Sequence, residues 1–222
     1  MPSIFLEPVL LDSICAYDCL WTLNRALRRC SDRAVFSCVL STLETEMNQS
    51  DILTPRLRLV TLSPEMIDAD AAGDYALLGS LLGAVVLPEW PPEHWEPHVF
   101  DFFLNQFAQH PDQIGWPRYV ALPDPDGTRT LVGTVGAFSK TDPPAICEFG
   151  YATLPPWEGH GFATEAAQAL ITHLRKDQRV TDIIAHTFPT IPASIRIMEK
   201  CGLTYDGDGE EPGTIRYRLN LQ

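Results

Sequence analysis

The run from Glu148 to Ala166, EFGYATLPPWEGHGFATEA, constrains this chain more than any other stretch. It reads as a strand, a Pro-containing bend, a glycine-bearing turn and the first turn of a helix. The opening N–H groups of such a helix have no intrahelical acceptor, and the helix dipole adds partial positive charge there. Together these make a seat for a phosphate or pyrophosphate. Gly159 and Gly161 carry no Cβ and let the main chain come close to an anion. The reading is a phosphate-bearing cofactor held where a helix begins near Phe162.

The turn does not fit the dinucleotide fingerprint well. The third position of G-x-G-x-x-G is Thr164, and the acidic residue nearest the expected distance, Asp182, stands just before a strand. A nucleotide-dependent oxidoreductase is therefore a minor alternative. A Walker loop needs Gly-Lys-Ser/Thr, and this turn has no lysine. The stretch Glu158-Gly159-His160-Gly161-Phe162-Ala163, after Leu154-Pro155, resembles motif A of the GNAT superfamily, the acetyl-CoA-dependent N-acetyltransferases. That motif reads Gln/Arg-x-x-Gly-x-Gly/Ala. Thr164-Glu165-Ala166, the opening Leu53-Thr54-Pro55-Arg56-Leu57-Arg58-Leu59 and the later run from Ala193 to Leu203 resemble the branch that acetylates ribosomal-protein N-termini, such as N-terminal alanine. The resemblance spans roughly residues 52 to 221.

Acetyl transfer from a thioester to an amine needs a held cofactor, a polarised carbonyl and a neutral amine. The resemblance implies that N–H groups of Gly159, His160, Gly161, Phe162, Ala163 and Thr164 take the pyrophosphate. Glu158 stands where the family has Gln or Arg, a carboxylate beside an anion, which His160 could offset when protonated. The family also separates two neighbouring strands, so free N–H groups around Tyr151, Ala152, Thr153 and Leu154 are expected to bind the cofactor arm and stabilise the oxyanion. Glu148 matches the glutamate that opens the corresponding strand and is the candidate base. An α-amine has a reference pKa near ~8 and a lysine amine near ~10.4, so a base matters more for the latter.

The tyrosine that many members place by the cofactor sulfur is Met198 here, and an asparagine common in that loop is Ile191. Ser194 is left as the nearest hydroxyl for the thiolate. Trp90, Trp95 and Phe138 are expected to line the acceptor site. The departures at Glu158, Ile191 and Met198 keep open a second reading, a catalytically weak or inactive acyl-CoA-binding module. Cys147 and Cys201 read as core residues without a histidine partner.

Composition narrows the class. The 222 residues suit one domain plus an extension, and a content of 45% apolar residues supports a real core. A run of 18 apolar residues is absent, and Glu7 and Asp12 interrupt the apolar N-terminus, which argues against a membrane span or signal peptide. The six cysteines show no metal-ligand spacing, so no metal is expected and reduced thiols in a cytoplasmic protein are. A net charge of −13 disfavours nucleic acid and anionic lipid as partners and suits cationic amine acceptors. The protein is expected to be a monomer or homodimer.

Residues 1–50 lie outside the resemblance. Met47 sits where chains of this family begin, so residues 1–46 are either an over-extended start or an accessory helix or hairpin. Residues 51–222 read as the N-acetyltransferase domain. Along it, strands are expected at residues 56–62, 119–122, 131–138, 146–154, 182–187 and 214–221. Helical spacing runs from Ser63 on through Leu82, over Phe100–Phe107, and at residues 162–175 and 192–201. The fold class is α/β (α+β): a GNAT-like three-layer fold with a central mixed, mostly antiparallel sheet flanked by helices.

Overall fold

The computed structural model describes residues 50–222 apart from 94 and 96. The expectations for residues 1–49, including the start at Met47, lie outside the described residues. The described residues form eight strands: β1 (Ile52–Leu53), β2 (Arg58–Thr61), β3 (Arg118–Pro123), β4 (Arg129–Ser139), β5 (Ile146–Thr153), β6 (Asp182–Thr187), β7 (Thr204–Asp208) and β8 (Ile215–Asn220). The helices are α1 (Pro64–Ala71), α2 (Tyr75–Leu82), α3 (Pro97–Gln109), α4 (Phe162–Leu174) and α5 (Pro192–Lys200). One sheet runs in the order β1-β2-β3-β4-β5-β6-β8-β7. Every pairing is antiparallel except β5 with β6. Parallel neighbours need a crossover, and α4 supplies it.

Helices cover both faces. Cys147 and Phe149 of β5 pack with Phe162, Ala166 and Leu170 of α4 and Met198 of α5. On the other face Leu131, Tyr119 and Ala121 meet Ile67 of α1, Leu78 and Leu82 of α2, and Phe100 and Phe107 of α3. Burying each large apolar side chain contributes about 1.5–3 kcal/mol, so α4, with Phe162, Leu170, Ile171 and Leu174 inside, is firmly held. This is the three-layer architecture expected from the sequence.

Three local expectations change. The short edge strand β1, ahead of the first expected strand, is new and pairs with β2. The helical run from Ser63 to Leu82 is two helices, not one. Ser63 caps α1 through the Met66 N–H, and Pro64 follows it. Gly73, at φ +69°, then turns the chain, and Asp74 accepts the Leu77 N–H at 3.0 Å to start α2. The strand β7 is new. Its Asp206-Gly207 pair reads as a turn, yet it forms a bulge on a sheet edge, where Asp206 accepts Arg216 and Arg218 of β8 at 2.8 Å each.

Candidate functional site

The chain leaves β5 through Leu154, passes one 3-10 turn (Pro155–Trp157) and enters α4 across Gly159 and Gly161. Both glycines are left-handed, at φ +76° and +80°, where a side chain would be strained. Gly161 is the N-cap of α4 and has no side chain to satisfy the helix. Among the described residues, the backbone N–H groups from Gly159 to Thr164 meet no protein acceptor. The first N–H turned back into the chain is that of Glu165, on Gly161 O at 3.0 Å. No atom lies within 4 Å of the place of a Cβ on Gly159, so the chain faces open space there. Glu158 is exposed, and its carbonyl bonds Nδ1 of His160 at 2.8 Å, while the His160 ring stacks on Phe162.

The turn is braced from the start of the domain. Glu165, in the first turn of α4, accepts Thr54 Oγ1 at 2.6 Å, the Arg56 N–H at 3.0 Å and Arg56 Nε at 2.6 Å. Arg56 also donates to His160 O at 3.0 Å and lies over the Phe162 ring at 4.7 Å. Burial would raise the Glu165 carboxyl, but the hydrogen bonds from Thr54 and Arg56 outweigh it and hold it below the usual range. This gives a structural reason for the Thr54-Pro55-Arg56 and Thr164-Glu165-Ala166 motifs: they are two halves of one clamp.

Beside the turn the sheet opens. The parallel register of β5 with β6 runs only from Ile146 to Glu148, opposite Asp182 to Ile184. Past that point β6 follows β8 up to Thr187, while β5 follows β4. Antiparallel partners alternate in the direction of their backbone groups. Lys140 N–H bonds Ile146 O, and Leu154 N–H bonds Val132 O, so every second residue between them turns toward β4. Tyr151 and Thr153 therefore turn their N–H groups into the opening, whereas Ala152 and Leu154 do not. That corrects the expectation that all of Tyr151 to Leu154 offer free amides. Gly133 permits this geometry, because a Cβ there would lie 2.2 Å from Ala152 O.

On the α5 side of the opening, the Tyr151 hydroxyl lies 3.0 Å from Ser194 O and 3.1 Å from Ser194 Oγ. Burial pushes the Tyr151 phenol up to about 12, with the Ser194 hydrogen bond pulling the other way. Met198 is fully buried in the core. Cys147 is buried and pushed up to about 12, and Cys201 to about 11, both by burial, so neither is a thiolate nucleophile.

The opposite face of β5 carries Glu148. Its Oε1 lies 2.8 Å from Nδ1 of His186, and its Oε2 lies 3.2 Å from Nζ of Lys140. Lys140 Nζ also meets Glu210 at 2.7 Å and sits over the Phe138 ring at 5.7 Å. Phe138 is the Cα partner of Glu148 and packs edge-on against Phe102 of α3. Next along this face is Gly150, exposed, with no atom near the place of a Cβ. Its φ is not left-handed, so the backbone does not demand a glycine there. The effect is an open trough between Glu148 and Ala152.

Trp90 and Trp95 are elsewhere. Trp90 is buried; its indole N–H bonds Asp70 Oδ1 at 2.7 Å, and that of Trp95 bonds Asp70 Oδ2 at 2.8 Å. The Tyr119 hydroxyl donates to the same carboxylate at 2.7 Å. These side chains anchor the α1–α3 layer and do not join Phe138 at the trough. Sequence reasoning missed His186 and Lys140. His186 offered one signal, a polar residue on the face of β6 shared with buried Ile184.

A family profile described as "Acetyltransferase (GNAT) domain" matches residues 56–204, so the chain belongs to the GNAT acetyltransferases. Solved structures agree in fold. A GNAT-family acetyltransferase from Bacillus anthracis superposes with TM-score 0.52 at 20% identity, covering 78% of this chain and 99% of its own. The ribosomal-protein-S5-alanine acetyltransferase from Vibrio fischeri gives 0.53 at 16% identity, covering 78% and 97%. RimL, a ribosomal L7/L12 α-N-protein acetyltransferase in complex with coenzyme A, gives 0.53 at 16%, covering 77% and 98%. No curated protein sequence matches significantly.

Proposed function

We propose that the protein transfers the acetyl group of acetyl-CoA to a primary amine by direct attack. The acceptor is either a protein N-terminus or a small amine. The observation that carries this reading is the divergence of β5 from β6, with the Tyr151 and Thr153 amides facing the gap and the open N–H turn at its end. The turn fits a pyrophosphate: its donors have no protein acceptor, and its two left-handed glycines keep side chains out of the way. Acetyl-CoA supplies an activated acyl thioester.

The chain's residues do the rest. The Gly159–Thr164 amides and the N-terminus of α4 hold the diphosphate. The Tyr151 and Thr153 N–H groups align the arm and polarise the carbonyl. Ser194, sharing its hydroxyl with Tyr151, stands where a proton can be delivered to the departing sulfur. Glu148 lies on the acceptor side and supports removal of the amine proton.

The test is thiol release from acetyl-CoA over a panel of peptides and small amines, beside calorimetry with coenzyme A. Amine-dependent thiol release supports the transferase. Tight binding with no release above background favours an acyl-CoA-binding module instead.

A further inference from the structure

Glu148 does not face the trough alone; it is bonded to an imidazole. His186 presents Nδ1 to Glu148 Oε1 at 2.8 Å. A carboxylate accepts only, so Nδ1 carries a proton, and in the neutral ring the lone pair is on Nε2. That Nε2 is buried and has no hydrogen-bond partner. Native folds leave few buried polar atoms unmet, and such an atom calls for an explanation.

The position of the ring points to one. His186 lies two residues past Ile184, the last β6 residue registered with β5. It therefore stands on the diverging part of β6, on the face that carries Glu148 and the open side of Gly150. Segment 209–213 starts against the ring edge that bears Nε2: a Cβ on Gly209 would sit 3.0 Å from His186 Cδ2. That segment folds on itself, with Gly209 N–H on Thr214 O at 2.8 Å and Thr214 Oγ1 on Glu211 O at 2.7 Å. It is tied to the residue that follows β4 by the partly exposed Lys140–Glu210 ion pair.

We infer that His186 Nε2 is the atom that deprotonates the acceptor amine, that Glu148 is its positioning residue, and that segment 209–213 lifts to admit the amine. This deepens the transferase reading and rests on it. The incoming ammonium gives one proton to Nε2, forming an imidazolium stabilised by Glu148. The freed nitrogen pair forms the bond to the thioester carbon, and the carbon–sulfur bond breaks with its electron pair on sulfur. The second nitrogen proton neutralises the sulfur by way of the Ser194–Tyr151 hydroxyls, and the imidazolium returns its proton to water. The charged groups around the ring are Glu148 of β5, Lys140 just past the end of β4, Glu210 of the flap and Arg216, the Cα partner of His186 on β8.

The test compares wild type with His186→Asn, which keeps a donor for Glu148 but has no Nε2. Turnover is read on a lysine-type ε-amine and on an α-amine acceptor, with coenzyme A affinity measured by calorimetry to report the intact fold. The expected result is a fall in kcat/KM of about a hundredfold or more on the ε-amine. The fall is smaller on the α-amine, of which more is already neutral, and raising the pH toward that of the free ε-amine recovers the rate. Glu148→Gln should fall less than His186→Asn and with the same dependence on acceptor. A His186→Asn variant that binds coenzyme normally and turns over both amines within about threefold of wild type overturns the assignment and leaves the transferase standing. Wild type that releases no thiol with any amine overturns both.

Discussion

Tyr151 and Ser194 are joined across the opening of the sheet, hydroxyl to hydroxyl at 3.1 Å. Because burial keeps the phenol protonated up to about 12, it remains a donor throughout the neutral range. Tyr151→Phe should lower kcat by about tenfold or more, since a general acid contributes about 10²–10⁴ and Ser194 persists. Stability should drop by only about 0.5–1.5 kcal/mol, the net worth of one hydrogen bond. Steady-state kinetics and urea unfolding check the two figures separately.

The Glu165 clamp carries a pH signature. Its folded pKa is depressed, so its contribution is present above the unfolded carboxylate value and is lost as pH falls through the folded one. Glu165→Gln should therefore destabilise the protein by about 1–2 kcal/mol at neutral pH, Arg56 being half exposed and screened. The gap from wild type should close as both are unfolded at progressively lower pH. Coenzyme affinity should weaken as well, because the same carboxylate fixes the turn through Arg56 and His160 O.

Asp70 is the polar anchor of the α1–α3 layer, accepting from Trp90, Trp95 and Tyr119 while buried. Burial, then the Asp70 charge, push the Tyr119 phenol far above its ordinary value, so it stays a donor. Asp70→Asn turns an amide donor toward other donors and leaves at least one unmet. A loss of about 2–4 kcal/mol is expected in urea unfolding, together with reduced tryptophan burial seen by fluorescence.

Gly150 tests the trough. In Gly150→Val the Cβ has no atom within 4 Å, and valine is compatible with a strand, so the fold should tolerate it. The acceptor KM should rise by about tenfold or more while coenzyme affinity stays unchanged. An unaltered acceptor KM would place the acceptor elsewhere.

Much of this fold was legible because its signals are local. Gly159, Gly161 and Pro155 dictate a turn by their own backbone preferences, and the apolar spacing after Phe162 dictates the helix. Glu148 was found through its match to the glutamate that opens the corresponding strand in the resembled branch, not through a local pattern. What was not legible depends on partners distant in the chain. His186 meets Glu148 from 38 residues away, and Trp90 meets Asp70 from 20. Nothing in a Pro- and Trp-rich loop says whether its indoles face a ligand or a buried carboxylate. The strand β7 was hidden because an edge strand tolerates Asp206-Gly207, a pair that reads as a turn.

The short register between β5 and β6 has a mechanical meaning. Among the described residues, the sheet consists of two rafts of strands stitched together along a brief seam near Ile146 to Glu148, with α4 strapped across it. Under strain, this seam should unzip before either raft frays. A coenzyme lying along the gap would serve as the missing stitches, so its binding should slow amide exchange most on the strand segments bordering the seam.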